Sequence, residues 1–279
     1  QKELGVNHII AELLINRRIE TFDQAKEFFR PSIDHLHDPF LMKDMDLAIN
    51  RIERAIGNKE KILIYGDYDV DGTTAVSVVY SFFRDFHSGI EFYIPDRYSE
   101  GYGISNTGID YAKANGFTLI IALDCGIKAV DKVEYANSLG IDFIIGDHHL
   151  PGDELPDAIA VLDPKRNDCP YPYKELSGCG IGFKIVQAFI QQNGMNMDGA
   201  YQYLDLVAVS IASDIVPITG ENRILTHFGL KKLNSNPSCG LQALINLSTH
   251  KSGQFTVNDI VFQIGPRINA AGRIDHAKD

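Results

Sequence analysis

The chain has 279 residues and a mass of 31.0 kDa, 44% hydrophobic and 23% charged. That is the arithmetic of one large globular domain or two smaller ones, and it excludes disorder, a collagen-like repeat and a disulfide-stapled miniprotein. Lys and Arg number 26 against 37 Asp and Glu, a net charge of −11 and a pI near 5.2, which at first sight argues against a nucleic-acid partner. The four cysteines, Cys125, Cys169, Cys179 and Cys239, form no CxxC or CxxH pair, so they read as reduced thiols and not as a zinc site. No window reaches the roughly 18 apolar residues of a membrane span, and QKELGVNH lacks the order of a signal peptide. The expectation is a soluble cytoplasmic chain with no membrane partner. It starts without Met and stops at GRIDHAKD after a Gly- and Arg-bearing stretch, as a fragment of a longer protein would.

Residues 1–57 read as a helical lead-in. Ile9, Ile10, Leu13 and Leu14 make one stripe, and Thr21 with Gln24 can cap a second helix carrying Ala25 and Phe28. Pro31 and Pro39 break the chain into a loop, and a third helix from about Met45 to Ile56 stops at Gly57-Asn58. From Lys61 short apolar runs alternate with helical stretches: KILIY (61–65), IEFYIP (90–95), FTLIIAL (117–123), IDFIIG (141–146) and AIAVLD (158–163), with helices over about 73–86, 107–115 and 128–139. This predicts an α/β fold, a doubly wound, mainly parallel five-stranded sheet over residues 58–235. Helices dominate from Gly180 to about Leu233. A less regular helical or linker segment fills 236–279, a C-terminal extension that balances the lead-in.

In such sheets ligands bind where the strands end. After KILIY comes Gly66-Asp67-Tyr68-Asp69-Val70-Asp71-Gly72; after TLIIAL comes Asp124-Cys125-Gly126; after DFIIG comes Asp147-His148-His149; and the helical LVAVSIAS delivers Asp214. So many carboxylates at one mouth repel each other unless cations lie among them. The first cluster also opens like an EF-hand, but position 12 would be Val78 where a bidentate Glu is needed, and a strand precedes it where a helix should. A haloacid-dehalogenase nucleophile loop has two Asp after a strand and does not account for the later Asp-His-His. Helix capping accounts for one or two of the three acids. Two adjacent imidazoles beside a carboxylate have no common structural purpose, and one can bind a metal while the other faces substrate. Mostly oxygen ligands with one imidazole suit Mn²⁺ or Mg²⁺ better than zinc, and two such ions point to phosphoester hydrolysis.

GDYDVDG, LDCG, GDHH and ASDIVP, in this order, resemble the four motifs of the DHH phosphoesterase superfamily, and within it the RecJ family of single-strand-specific 5′→3′ DNA exonucleases. FFRPSIDHLHDPFLMKDMDLAINRI, PDRYSEGYGIS, LSGCGIGFKIV and IGPRINAAGRID extend the likeness over nearly the whole chain. The resemblance implies an exonuclease of DNA repair and recombination using two divalent cations, Mn²⁺ or Mg²⁺. Its partner would be single-stranded DNA, with a single-strand-binding protein and a helicase as protein partners.

It also implies roles. Asp69 resembles a ligand of one ion and Asp71 of the other; Asp124 would bridge them; His148 and Asp214 would complete the second site; and His149 would contact the scissile phosphate. Many members carry a His where this chain has Tyr65, so Asp67 or water would stand in. Asp147 would orient a histidine. Arg97, in a Gly-bearing loop, and Arg267 and Arg273, bracketing INAAG, resemble phosphate-binding arginines, an alternative to ordinary surface arginines. Gly178, Gly180 and Gly182 after Ser177 offer N–H groups to a phosphate, or simply let a helix pack closely.

In the RecJ family the DNA channel is shared with a second domain and an OB-fold C-terminal to these motifs, so the expectation is an assembled metal site with weak or absent processive activity. A small-molecule phosphodiesterase or pyrophosphatase of the same superfamily and a non-catalytic replication scaffold are the alternatives. Six of the acids gather at the presumed site, where two divalent ions would return positive charge.

Overall fold

The five apolar runs become the five strands of one sheet in the computed structural model, which describes residues 5–248 and 253–274. They are β1 (Lys61–Gly66), β2 (Ile90–Tyr93), β3 (Phe117–Leu123), β4 (Asp142–Gly146) and β5 (Ala160–Leu162), all parallel, in the order β2-β1-β3-β4-β5. Every residue of β3 is buried except Thr118, as a strand covered on both faces requires. Leu63 and Tyr65 of β1 and Ile120 and Ala122 of β3 pack into a core shared with Ile109, Ala112, Val133 and Ala136.

Among the described residues, those up to Leu36 form one compact unit and those from His37 onward another. The first holds α1 (His8–Ile15) and α2 (Phe22–Phe29), where Thr21 and Gln24 close the capping box that their spacing predicts. The second holds α3 (Met45–Gly57), whose buried Met45, Ile49 and Ile52 form its inner stripe. It continues with α4 (Val70–Phe83), α5 (Asn106–Ala114), α6 (Val130–Ser138), α7 (Gly178–Gln192), α8 (Asp198–Tyr201), α9 (Leu204–Ser213) and α10 (Gly220–Ser235). Helices α5 and α6 supply the core on one face of the sheet, and α4 and α7 pack together against β1 and β3.

One expectation is corrected. α4 begins at Val70, three residues before the expected start, because Asp69 and not a later residue caps it, so Asp71 lies inside the first turn. The C-terminal extension carries helices with irregular stretches between them: α11 (Cys239–Asn246), α12 (Val257–Asp259), a π-helical turn over Ile260–Ile264, and α13 (Gly265–Ile274). Among the described residues no helix is long and apolar enough to cross a membrane.

Candidate metal centre

The chain leaves β1 at Gly66 and folds Asp67 back over Gly72, where an added Cβ would lie 2.5 Å from the Asp67 carbonyl oxygen. Asp67 is fully buried; one carboxylate oxygen accepts the Tyr68 N–H at 2.7 Å and the other the Gly103 N–H at 3.2 Å. Burial pushes its carboxyl up to about 7. Asp69 caps α4 by accepting the Gly72 N–H at 2.9 Å, and burial together with the charge of Asp71 raises its carboxyl. Asp71, on the buried side of the first turn, points across to α7. Its Oδ2 accepts the Gly178 N–H at 2.7 Å, and its Oδ1 accepts the Cys179 N–H at 2.8 Å and the Ser210 hydroxyl at 2.7 Å. The anion held by the α7 N-terminus is therefore a carboxylate of the protein itself. This corrects the phosphate-cradle reading of that glycine run: Gly178, Gly180 and Gly182 lie within α7, the Gly180 N–H goes to the Ser177 cap, and Gly178 is where Asp124 packs.

Asp124, directly after β3, has a left-handed backbone at φ 61°. For a non-glycine residue that conformation is held by its surroundings. Its N–H donates to the Gly146 carbonyl, and its carboxylate lies against Gly178, where a Cβ would come within 2.7 Å of Oδ1. It is 1% exposed, Oδ1 has no hydrogen-bond partner, and burial, reinforced by the neighbouring acids, drives its carboxyl well upward.

After β4, Asp147 is the hub of the Asp-His-His segment. Oδ1 accepts the N–H groups of His148 at 2.7 Å and His149 at 3.1 Å and lies 2.7 Å from His149 Nδ1, while Oδ2 accepts the Ile127 N–H at 2.9 Å. Burial would raise its carboxyl, but these donors and the His149 ring overcome it and hold it below the ordinary range. His149 is correspondingly raised, chiefly by the Asp147 hydrogen bond. His149 Nε2 faces outward, 3.4 Å from the Tyr102 hydroxyl. His148 turns inward instead. Its Nε2 lies 3.1 Å from Asp124 Oδ1 and 3.6 Å from both Asp71 Oδ2 and Asp214 Oδ2, yet neither ring nitrogen makes a hydrogen bond. Burial holds it below the ordinary histidine range.

Asp214 follows α9 at the outer edge of the cluster, and burial together with Asp71 and Asp69 pushes its carboxyl up to about 7. Asp71, His148 and Asp214 bring one ligand atom each within 4.8 Å of one another, and so do Asp124, His148 and His149. Carboxylates driven upward by burial and by one another, around a buried oxygen and an imidazole that make no hydrogen bond, leave a large desolvation cost uncompensated. A divalent cation compensates it, and oxygen-rich donors with one imidazole suit Mn²⁺ or Mg²⁺. Cys125 takes no part: it sits in the apolar core and burial keeps its thiol protonated.

The rim belongs to residues 95–105. The Arg97 guanidinium lies over the Tyr68 ring, 4.9 Å from its centroid, and Tyr68 meets Tyr102 edge-on. Tyr65 is fully buried and meets the rim loop at Gly103, the residue whose N–H also bonds Asp67. Its hydroxyl donates to the Gly103 carbonyl at 2.9 Å and accepts the Ser105 N–H at 3.1 Å, so the residue standing in place of a histidine anchors the rim loop. Arg267 lies on α13 with its guanidinium on the carbonyls of Gln263 and Leu247, outside the acidic cluster. The side chain of Arg273 lies outside the described residues. Ser210, Ser177 and Tyr102 are the site neighbours that sequence reading missed. Ser177 three residues before Gly180 is a recognisable N-cap, whereas a serine inside an apolar helix, such as Ser210, gives no signal.

Residues 61–211 match the DHH family, N-terminal domain. The single-stranded-DNA-specific exonuclease RecJ of Bacillus subtilis is 42% identical over 276 residues, covering 99% of this chain and 34% of that protein; the Escherichia coli one is 35% identical over 246 residues, covering 84% and 42%. The chain thus spans between about a third and two fifths of the length of these curated relatives. Among solved structures, exonuclease RecJ bound to manganese superposes with a TM-score of 0.77 at 28% identity, over 85% of this chain and 59% of that one. RecJ in complex with Mn²⁺ from Thermus thermophilus gives 0.78 at 25% identity, over 95% and 37%. With motifs, parallel sheet and clustered acids in agreement over more than half its length, the chain belongs to the DHH family.

Proposed function

We propose that this chain is the metal-dependent catalytic core of an exonuclease that hydrolyses single-stranded DNA from the 5′ end to 5′-mononucleotides, its catalytic part spanning residues 58–235. The observation that carries the reading is the buried Asp124 Oδ1 and the two ring nitrogens of His148, none of them hydrogen-bonded, with Nε2 drawn in among three carboxylates. The likeness to RecJ exonucleases, two of them solved with manganese, supports the cation and the substrate class.

Asp71, His148 and Asp214 would hold one ion; Asp69, with Asp67 beside it, the other; and Asp124 would serve both. Two bound Mn²⁺ or Mg²⁺ ions supply a water of lowered pKa and neutralise charge on the phosphoryl oxygens. The α7 N-terminus and Ser210 fix the direction of the Asp71 carboxylate. Asp147 holds the His149 ring by Nδ1, so that Nε2 presents a proton to the scissile phosphate. Arg97 would clamp a neighbouring phosphate, Arg267 and Arg273 the strand end, and the Tyr102 ring would stack a base irrespective of sequence. A single-strand-binding protein and a helicase fit as protein partners of such an enzyme.

The test supplies Mn²⁺ with a 5′-labelled single strand, the matching duplex, a cyclic dinucleotide and pyrophosphate. Degradation of the single strand from its 5′ end, abolished by Asp124→Ala together with calorimetric Mn²⁺ binding, is expected. Preferential turnover of pyrophosphate or the cyclic dinucleotide would overturn the reading.

A further inference from the structure

The sheet order sets β2 and β5 at opposite edges, with the acid- and imidazole-bearing loops after β1, β3 and β4 between them. The loop after β2 brings Arg97 to the rim, and the loop after β5 brings another cation. β5 ends at Leu162, whose carbonyl accepts the Asp147 N–H at 3.0 Å, so Asp163 leaves the sheet beside the Asp-His-His segment. Asp163 is fully buried and accepts the Lys165 backbone N–H at 2.7 Å, an Asx turn stiffened by Pro164. The turn is held by the Lys165 backbone, which leaves the ammonium out of that task. The ammonium stands 3.7 Å from Glu175 Oε2, beyond hydrogen-bonding distance, two residues ahead of the Ser177 cap of α7. The chain on either side ties this pair to the centre: Leu162, three residues before Lys165, is bonded to Asp147, and α7, which Glu175 precedes, is bonded through Gly178 to Asp71.

An ion pair with a half-exposed glutamate contributes little to stability. Three ammonium donors at the mouth of an acidic cluster that must admit phosphate have a stronger use. We propose that Lys165 is a substrate-binding residue that holds a phosphate oxygen of the strand from the β5 side of the centre, opposite Arg97. The inference rests on the nuclease reading above.

Binding is measured by fluorescence anisotropy of a 5′-phosphorylated oligothymidylate, with Ca²⁺ replacing Mn²⁺, from 50 to 200 mM KCl. Lys165→Gln should weaken binding about tenfold at low salt. It should also reduce the slope of log affinity against log salt by about 0.7, one phosphate contact on a single strand. Lys165→Arg should keep the slope. Glu175→Gln, which leaves the lysine and its turn in place, should tighten binding about twofold. A wild-type slope in Lys165→Gln, even with weaker binding, or unchanged or weaker binding in Glu175→Gln, would overturn the assignment and leave the nuclease reading standing. A wild-type chain that neither binds nor cleaves the oligonucleotide overturns the nuclease reading, and this one with it.

Discussion

Asp71 and Gly178, 107 residues apart, meet as a carboxylate seated on a helix N-terminus, with the Gly178 N–H 2.7 Å from Asp71 Oδ2. The contact joins the first turn of α4 to the first turn of α7, and the next residue's N–H and the Ser210 hydroxyl complete it. One side chain thus locks two helices together and offers its outer edge to the cluster, 3.6 Å from His148 Nε2.

Gly178→Ala tests how tightly that junction is built. A Cβ there would stand 2.6 Å from the Asp124 Cβ and 2.7 Å from its Oδ1. Overpacking of this kind costs about 1–3 kcal/mol. Thermal unfolding should register that loss, and calorimetry should show Mn²⁺ affinity reduced at least tenfold because Asp124 is displaced. Unchanged Mn²⁺ binding would mean that the cluster tolerates the shift.

Asp71→Asn keeps the shape and removes the charge. Whichever way the amide turns, its NH₂ faces a donor: the Gly178 N–H, or the Cys179 N–H and the Ser210 hydroxyl. A loss of about 1–3 kcal/mol in denaturant unfolding is expected, together with loss of one Mn²⁺ equivalent in titration. Ser210→Ala removes one donor only and should cost about 1–2 kcal/mol while keeping both equivalents.

Tyr65→Phe should separate loop anchoring from metal binding. Removing the hydroxyl leaves the Gly103 carbonyl and the buried Ser105 N–H without partners, a cost of about 1–3 kcal/mol. Mn²⁺ affinity should stay within twofold, while oligonucleotide affinity falls because the loop carrying Arg97 and Tyr102 loosens. A drop in Mn²⁺ affinity would instead make Tyr65 part of the metal site.

Without divalent cations, stability should decline as pH rises from about 4 to about 7. Burial raises the carboxyls of Asp67, Asp163 and Asp214 to about 7, while in the unfolded chain an aspartate releases its proton near pH 3.9. Between those values the folded state holds more protons, so the unfolding free energy falls with pH until the folded groups have also ionised. Asp147, held low, acts in the opposite sense at more acidic pH. Saturating Mn²⁺ should reverse the trend, because a cation binds the ionised form. Melting temperatures measured with chelator and with MnCl₂ from pH 5 to 8 should therefore diverge; parallel curves would show that the acids do not share a cation.

The strands and their surroundings were legible in the sequence because a parallel sheet buried on both faces writes itself as continuous apolar runs, and the acids at the run ends were legible because loops at that edge face the ligand crevice. The direction of each acid was not. Asp69 and Asp71 are two residues apart, yet one caps its own helix and the other reaches a different one, since α4 starts at Val70. Asp124 takes its direction from a left-handed backbone that no spacing announces.

By itself, then, the sequence determined a doubly wound sheet and the kinds of side chain gathered at its carboxyl edge, because those follow from hydrophobic periodicity and strand order. Tertiary structure alone decided that His148 turns in while His149 turns out on Asp147, that Tyr65 anchors a loop, and that Lys165 stands across from Glu175 ahead of α7. Each of these rests on a hydrogen bond or charge contact whose partner arrives from another element, and such partners are set by packing and not by neighbours in the chain.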